Sequence, residues 1–281
     1  GARDHFFARI PDVMKITGGK ETKFGGTNIR TANEAKTARM LGLSYNRMFT
    51  SWNKLQPSPE VWKFEEIDEA LSVNAAHGLK PWICILSPPA WVMPEGVFGG
   101  GFQPFPFHDD QWRGAVSKMS NRWKNQIYGW EWLNEIVPGT QTKTPVEDYL
   151  KFCRIGWEEA RKANPNFKNQ LAGGLWPANF RVDLLKAGVG KYVDILPVHY
   201  SGLGGVLEAR DNLDAAGLKD VTVWDNETAR GMSTWDMPAR EMLKISNQSQ
   251  WILDRWPDEL VGGAERIIYF GGNPQAAGNW E

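Results

Sequence analysis

Eight short apolar runs alternate along this chain with segments whose apolar residues recur at helical spacing, and this alternation restricts the fold more than any other feature. The strand-like runs are KFGGTNI at 23–29, SYNRMFT at 44–50, PWICIL at 81–86, IYGWEWL at 127–133, NQLAGG at 169–174, VDILPVHY at 193–200, VTVWDNE at 221–227 and RIIYF at 266–270. Helical patterns between them include EEIDEALSVNAAHG at 65–78, DQWRGAVSKMSNRWKN at 110–125, VEDYLKFCRIGWEEARKAN at 146–164 and MPAREMLKISNQSQWILDRW at 237–256. The runs are continuously apolar, as parallel strands covered by helices are. Eight such units predict an α/β fold, the closed (β/α)8 TIM barrel. An open doubly wound sheet is the competing fold. It would want a Gly-rich phosphate loop between strand and helix, and GGK at 18–20 and FGGG at 98–101 lack that context.

Three units end alike, in LGL at 41–43, HGL at 77–79 and AGL at 216–218. A left-handed Gly closing a helix, followed by an apolar residue leading into the next strand, explains the recurrence. Residues 24–281 are read as the catalytic barrel, with little chain after strand eight for a last loop and covering helix. Residues 1–23 fit no barrel element and read as an extension, a remnant of a preceding module or a plug under the barrel.

The 281 residues suit one such barrel, and 42% hydrophobic composition supplies a large core. A net charge of −1 gives no basic excess for nucleic acid or an anionic membrane. No apolar run approaches the roughly 20 residues that span a bilayer. Cys84 and Cys153 fall in a strand and a helix and read as two buried thiols. Four scattered histidines show no ligand spacing, so neither metal nor cofactor is expected. The 15 Trp point to flat platforms for sugar faces as well as to core packing.

A barrel of this kind places its site at the C-terminal ends of the strands. Strand two delivers Arg47 and then Trp52, strand three Trp91, strand four Asn134 and Glu135, strand six His199 and Tyr200, strand seven Asn226 and Glu227. The Asn-Glu pair occurs three times. Asn33-Glu34 reads as a helix start, with Asn capping and Glu favoured by the dipole. The other two end strands four and seven, nearly opposite one another in an eight-stranded ring. Two facing carboxylates are what glycoside hydrolysis needs. Asp225 competes with Glu227, sharing its strand face one layer deeper, and Glu227 could instead order its loop by pairing with Arg230. Trp130 and Trp132 read as packing; Trp52, Trp91 and Trp176 follow strand ends and are the candidate sugar platforms.

With these pieces assembled, the chain resembles clan A glycoside hydrolases over about residues 24–270. The resemblance rests on LGLSYNRMFTSWNKLQPSPEVWKFEEID, HGLKPWICILSPPAW, WEWLNE, VHYSG and VWDNETA, the first two being similar to the β-xylosidase and iduronidase branch. It implies that Glu135 is the general acid/base, Glu227 the nucleophile and Asn134 a donor to the sugar 2-hydroxyl. It further implies that Arg47 holds Glu227 ionised and that Tyr200 orients it, with His199 at the rim. The chain departs from the clan where SPPAW replaces a His after strand three and FGG replaces a Trp after strand eight. Trp280 could serve in the latter place.

The expected activity is retaining hydrolysis of β-linked plant or algal polysaccharide or oligosaccharide, with carbohydrate as the partner and a secreted or periplasmic location. A transglycosylase of the same mechanism and a non-catalytic sugar-binding barrel are the alternatives. A phosphate-dependent aldolase would want a strand-end Lys and a phosphate loop. The apolar run before Glu135 is expected to raise its pKa. The Gly- and Phe-rich excursion after strand three, at 93–110, is expected to wall or lid the cleft.

Overall fold

The computed structural model describes residues 12–93, 108–136, 146–175, 178–229 and 245–270. Its strands are β1 (Phe24–Thr27), β2 (Tyr45–Ser51), β3 (Lys80–Leu86), β4 (Gly129–Trp132), β5 (Lys168–Gln170), β6 (Ile195–His199), β7 (Thr222–Thr228) and β8 (Ala264–Tyr269). All pair in parallel and in chain order, and β8 pairs back onto β1, so the barrel is closed. Each sequence-predicted strand is present. The described helices are α1 (Val13–Ile16), α2 (Ala32–Met40), α3 (Trp52–Leu55), α4 (Glu65–Ala76), α5 (Asp109–Trp123), α6 (Val146–Ala163), α7 (Ala178–Lys186), α8 (Gly202–Ala215) and α9 (Ile245–Val261). Strands alternate with helices around the ring, as a (β/α)8 TIM barrel requires.

The three glycine signals work as their sequence implies. Gly42, Gly78 and Gly217 have φ of 85°, 69° and 73°. The following Leu43, Leu79 and Leu218 donate to the carbonyls of Ala38, Asn74 and Leu213 at 2.9–3.0 Å. These bonds satisfy the last helical carbonyls and turn the chain inward. The start of α2 corrects the sequence reading. Its cap is Thr31, whose side chain accepts from the Glu34 N–H while Glu34 reaches back to the Thr31 N–H. This reciprocal box satisfies two orphan donors at once, so Asn33 is inside the first turn and does not cap.

Two helices depart from local propensity. α8 opens with three glycines in four residues, a poor helical start, yet it buries Val206, Ala209 and Leu213 in the shared core, and that burial outweighs the glycine cost. α9 passes through Pro257 instead of ending at Trp256. The ring forfeits one backbone bond, but the continued turn places Glu259 in the interior and Leu260 against the core.

The core has two parts. Between strands and helices lies a Trp-rich layer that includes Trp52, Trp112, Trp123, Trp130 and Trp132. Inside the barrel, Tyr45 on β2, Trp82 on β3 and Trp224 on β7 meet edge to face at centroid separations of 5.4–5.5 Å. β7 neighbours neither β2 nor β3, so these rings must cross the lumen. They fill its N-terminal half with apolar surface. Below them, Glu21 accepts from Tyr45 Oη, Lys80 Nζ and Arg266, tying the segment before β1 to the barrel floor. Both cysteines are buried free thiols.

The corrected cap is directly testable. Thr31→Ala should lower unfolding stability by about 1 kcal/mol, whereas Asn33→Ala should be close to neutral. Urea unfolding of the two variants against the parent measures the contrast, and the reverse order would restore Asn33 as the cap.

Candidate active site

Above the aromatic floor the lumen becomes polar, and one cation organises it. Arg47, fully buried on β2, donates from Nε and Nη2 to both Glu131 oxygens at 2.8 and 2.6 Å. Nη2 also donates to Asn134 Oδ1 at 2.6 Å, and Nη1 to Glu227 Oε2 at 2.5 Å. Phe49, two residues further up the strand, lies over the guanidinium at 4.5 Å. The other Glu227 oxygen accepts from Tyr200 Oη at 3.0 Å. The structure thus brings Arg47, Asn134, Glu135, His199, Tyr200 and Glu227 to one mouth of the barrel.

Glu131 is the residue that sequence reasoning missed. It alternates with the packing residues Trp130 and Trp132, and it points into the lumen with no exposure. Trp82 Nε1 donates to it at 3.1 Å and the Gly173 N–H at 3.3 Å. Burial opposes its charge, yet the Arg47 ion pair and hydrogen bonds outweigh burial and hold its pKa below the ordinary carboxylate value. The available signal was a Glu inside a continuously apolar strand. Such a charge must have a buried partner, and Arg47 was the buried cation at hand.

Glu135 has a different setting. Its N–H donates to Gly173 O at 2.8 Å, continuing the β4–β5 pairing beyond the strand, and its side chain is 44% exposed. His199 Nδ1 lies 3.2 Å from Glu135 Oε1 and 3.9 Å from Glu227 Oε2. The His199 hydrogen bond lowers the Glu135 pKa despite partial burial, which corrects the expectation that apolar surroundings raise it. The Trp side chains of β4 point into the outer core layer; what Glu135 meets is an imidazole and solvent. Tyr200, by contrast, is raised, first by burial and then by the Glu227 charge, so it remains a hydrogen-bond donor.

The backbone is unusual where it delivers these groups. Leu133, Glu135 and Tyr200 have φ of 73°, 48° and 51°, a region sparsely occupied by residues with a Cβ. Gly173 makes room opposite: a Cβ there would stand 1.9 Å from His199 Nε2. Such local strain gathers where surrounding structure dictates side-chain direction.

Asp225 is not on the Glu227 face. The β6–β7 pairing passes from Val198↔Asp225 to His199↔Glu227, so one extra residue bulges β7 between them. The bulge reverses the alternation: Asp225 turns toward Glu259 of α9, and Glu227 turns over the lumen. Trp52 is also corrected. It is 1% exposed, packed against Trp91 and Trp112 with Nε1 on Gln56, and offers no open face to a sugar. Much of the Trp content is core packing of this kind. Trp91 is half-buried, its Nε1 on Gln56 O at 3.2 Å. Trp176, Trp280, Arg230 and positions 94–107 of the expected lid lie outside the described residues.

Ligand-type atoms of Glu135, His199 and Glu227 all lie within 4.8 Å of one another. By donor chemistry the trio could hold a cation, although both Glu227 oxygens already accept from Arg47 and Tyr200. Two neighbouring carboxylates, one part-exposed and one held by fixed donors, suit proton transfer at one side and nucleophilic attack at the other.

No family model and no curated protein sequence matches the chain. Among solved structures, it is similar to a family 39 glycoside hydrolase from Bacteroides cellulosilyticus WH2, with TM-score 0.71 and 16% identity over 88% of this chain and 56% of that one. A family 39 β-xylosidase from Caulobacter crescentus gives 0.69 and 15%, over 89% and 62%. An intracellular xylanase from Thermoanaerobacterium saccharolyticum gives 0.67 and 14%, over 98% and 92%. The chain spans just over half the length of the first of these. At such identities the likeness is one of fold: the barrel is the one used by several glycoside hydrolase families, family 10 and family 39 among them, and it singles out no branch.

Removal of the Glu131 carboxylate leaves Arg47 buried with half its partners. Glu131→Ala should therefore cost about 3–5 kcal/mol of unfolding stability, read by chemical denaturation. A loss under 1 kcal/mol would mean that the pair does not organise the lumen.

Proposed function

We propose that the protein is a retaining β-glycoside hydrolase that cleaves β-linked plant or algal polysaccharide or oligosaccharide by double displacement. One observation carries the reading: one oxygen of Glu135, after β4, and one oxygen of Glu227, on β7, lie within 4.8 Å of each other, close enough that the two carboxyl groups share a single reacting centre. Carboxyl groups about 5–5.5 Å apart suit direct attack, whereas inversion needs about 6.5–9.5 Å to admit a water. The glycosidases that share the fold support the substrate class.

In the first step a Glu227 oxygen attacks the anomeric carbon, the bond to the leaving oxygen breaks, and Glu135 gives that oxygen its proton. In the second, water attacks the same carbon, Glu135 takes its proton, and the ester bond to Glu227 breaks. Arg47 and Tyr200 hold Glu227 from two directions, so its attacking geometry is set before substrate arrives. Asn134 accepts from Arg47 through Oδ1, which leaves its amide N–H as the donor this reading assigns to the sugar 2-hydroxyl. Glu135 must donate its proton to the leaving oxygen, so in the complex that oxygen takes the place of His199 as its partner. A transglycosylase would follow the same steps with a sugar hydroxyl replacing water.

Two outcomes follow. Proton NMR of the first-formed anomer should show retained configuration, and Glu227→Ala should lose about 10⁴-fold or more in turnover while azide yields the inverted glycosyl azide. An inverted first product would make Glu227 a base acting through water.

The second outcome concerns pH. His199 lowers the Glu135 pKa in the free enzyme, and kcat/KM reports free-enzyme groups while kcat reports the complex. The basic limb of kcat/KM should therefore lie at lower pH than that of kcat. In His199→Ala the basic limb of kcat/KM should move to higher pH. Coincident limbs in the parent, or no movement in the variant, would remove His199 from control of the acid.

A further inference from the structure

Behind β7, away from the sugar-facing side, two acids face one another in the interior. Asp225 and Glu259 of α9 are both fully buried, and their side chains are in contact. Asp225 Oδ2 and Glu259 Oε2 have no donor among the described residues. Two carboxylates cannot satisfy one another, but one proton between them satisfies both oxygens. Burial pushes both groups up; the facing Glu259 adds to the rise at Asp225, which stands well above its ordinary value, while Arg255 and the hydrogen bond with Asp225 favour the charge on Glu259.

The pair belongs to a closed circuit around the nucleophile position. Arg255 Nε donates to Glu259 Oε1 at 2.9 Å, and Nη2 donates to the Tyr200 carbonyl at 2.5 Å. The Tyr200 N–H donates to the Glu227 carbonyl at 3.0 Å, and Tyr200 Oη to the Glu227 carboxylate at 3.0 Å. The Glu227 N–H returns to Asp225 Oδ1 at 3.4 Å. The circuit encloses the β7 bulge and the left-handed turn at Tyr200, the two irregularities that aim Glu227 into the lumen. Gly202 leaves the space that Arg255 occupies: a Cβ there would stand 2.9 Å from its Nη2.

We propose that Asp225 and Glu259 share one proton and, through Arg255, act as positioning residues that hold the β7 bulge so that Glu227 keeps its place against Arg47 and Tyr200. This rests on the hydrolase reading only for the role given to Glu227; the shared proton does not depend on it. Among the described residues, the charged or polar groups facing Asp225 are Glu259 and Arg255 from α9 and the Glu227 N–H on β7. On β8, Ile267 stands opposite Asp225, and Arg266 is turned to Glu265 and Glu21. A carboxyl whose folded pKa exceeds its unfolded value contributes stability at low pH and loses it as pH rises through the folded pKa. The pair therefore weakens the fold on the alkaline side.

Two measurements test this. The first is the thermal unfolding midpoint against pH, which needs no substrate. The parent midpoint should fall on the alkaline side, and Asp225→Asn, whose amide donates to Glu259 without a proton to lose, should flatten that fall. A profile for Asp225→Asn parallel to the parent overturns the shared proton.

The second measurement is turnover of an aryl β-glycoside near pH 6. Asp225→Asn, which keeps the acceptor for the Glu227 N–H, should retain kcat within about threefold. Asp225→Ala should lose about tenfold or more in kcat with KM little changed, because truncation of a buried hydrogen-bond partner frees the bulge. Parental kcat in Asp225→Ala overturns the positioning role, as does a KM effect alone. A parent inactive on every glycoside would sink the hydrolase reading, while the unfolding profiles still decide the shared proton.

Discussion

The Arg47 guanidinium has no contact with solvent, and it faces Glu131, Asn134 and Glu227 at once. A lone cation in that position would cost several kcal/mol of desolvation, and it survives because planar donors meet carboxylates in a fixed fork. Glu131 supplies the two-point anchor from the next strand but one. With that anchor set, the remaining Arg47 donors have fixed directions, and they fix Asn134 and Glu227. On the proposed reaction, the cluster holds two carboxylates against one guanidinium. Its net negative charge complements an oxocarbenium-like transition state.

The barrel can carry such a cluster because its lumen is divided. The lower half is sealed by Tyr45, Trp82 and Trp224, so water does not reach Arg47 from below. Trp82 also joins the halves, as its ring packs downward while Nε1 donates upward to Glu131. The strand exits then depart from regular geometry to aim side chains. Positive φ at Leu133, Glu135 and Tyr200, and the space left by Gly173, cost backbone or packing energy that the surrounding bonds offset.

The two candidate catalytic carboxylates differ in restraint more than in kind. Glu227 is held by two donors on its carboxylate and by the bulged strand behind it. Glu135 is half in solvent, and its side chain pairs with His199. A fixed group suits nucleophilic attack, where a displacement of an ångström is expensive, and a freer one suits alternate donation and acceptance of a proton. The same barrel wall therefore yields one glutamate clamped by fixed donors and one half in solvent, and the difference arises from the contacts around each.

The sequence by itself determined the eight-unit barrel, because burial on both faces writes continuous apolar runs and left-handed glycines punctuate the helix ends. It also determined that Asn134, Glu135, His199, Tyr200 and Glu227 meet at one mouth, since each ends or lies near the end of a strand and parallel strands end together; Arg47, the third residue of β2, reaches them from within the lumen. What it did not determine was direction. Strict alternation put Asp225 on the Glu227 face, and one bulged residue reversed that. Glu131 drew no reading beside the packing residues Trp130 and Trp132, though it is the main partner of Arg47. Trp52 read as a platform because it follows a strand, yet α3 turns it inward. Glu135 was expected among tryptophans that point the other way. Bulges, lumen-facing pairs and helix-end rotations are set by contacts between residues far apart in the chain. A linear pattern encodes burial and period, and only the closed barrel decides which side chains face one another.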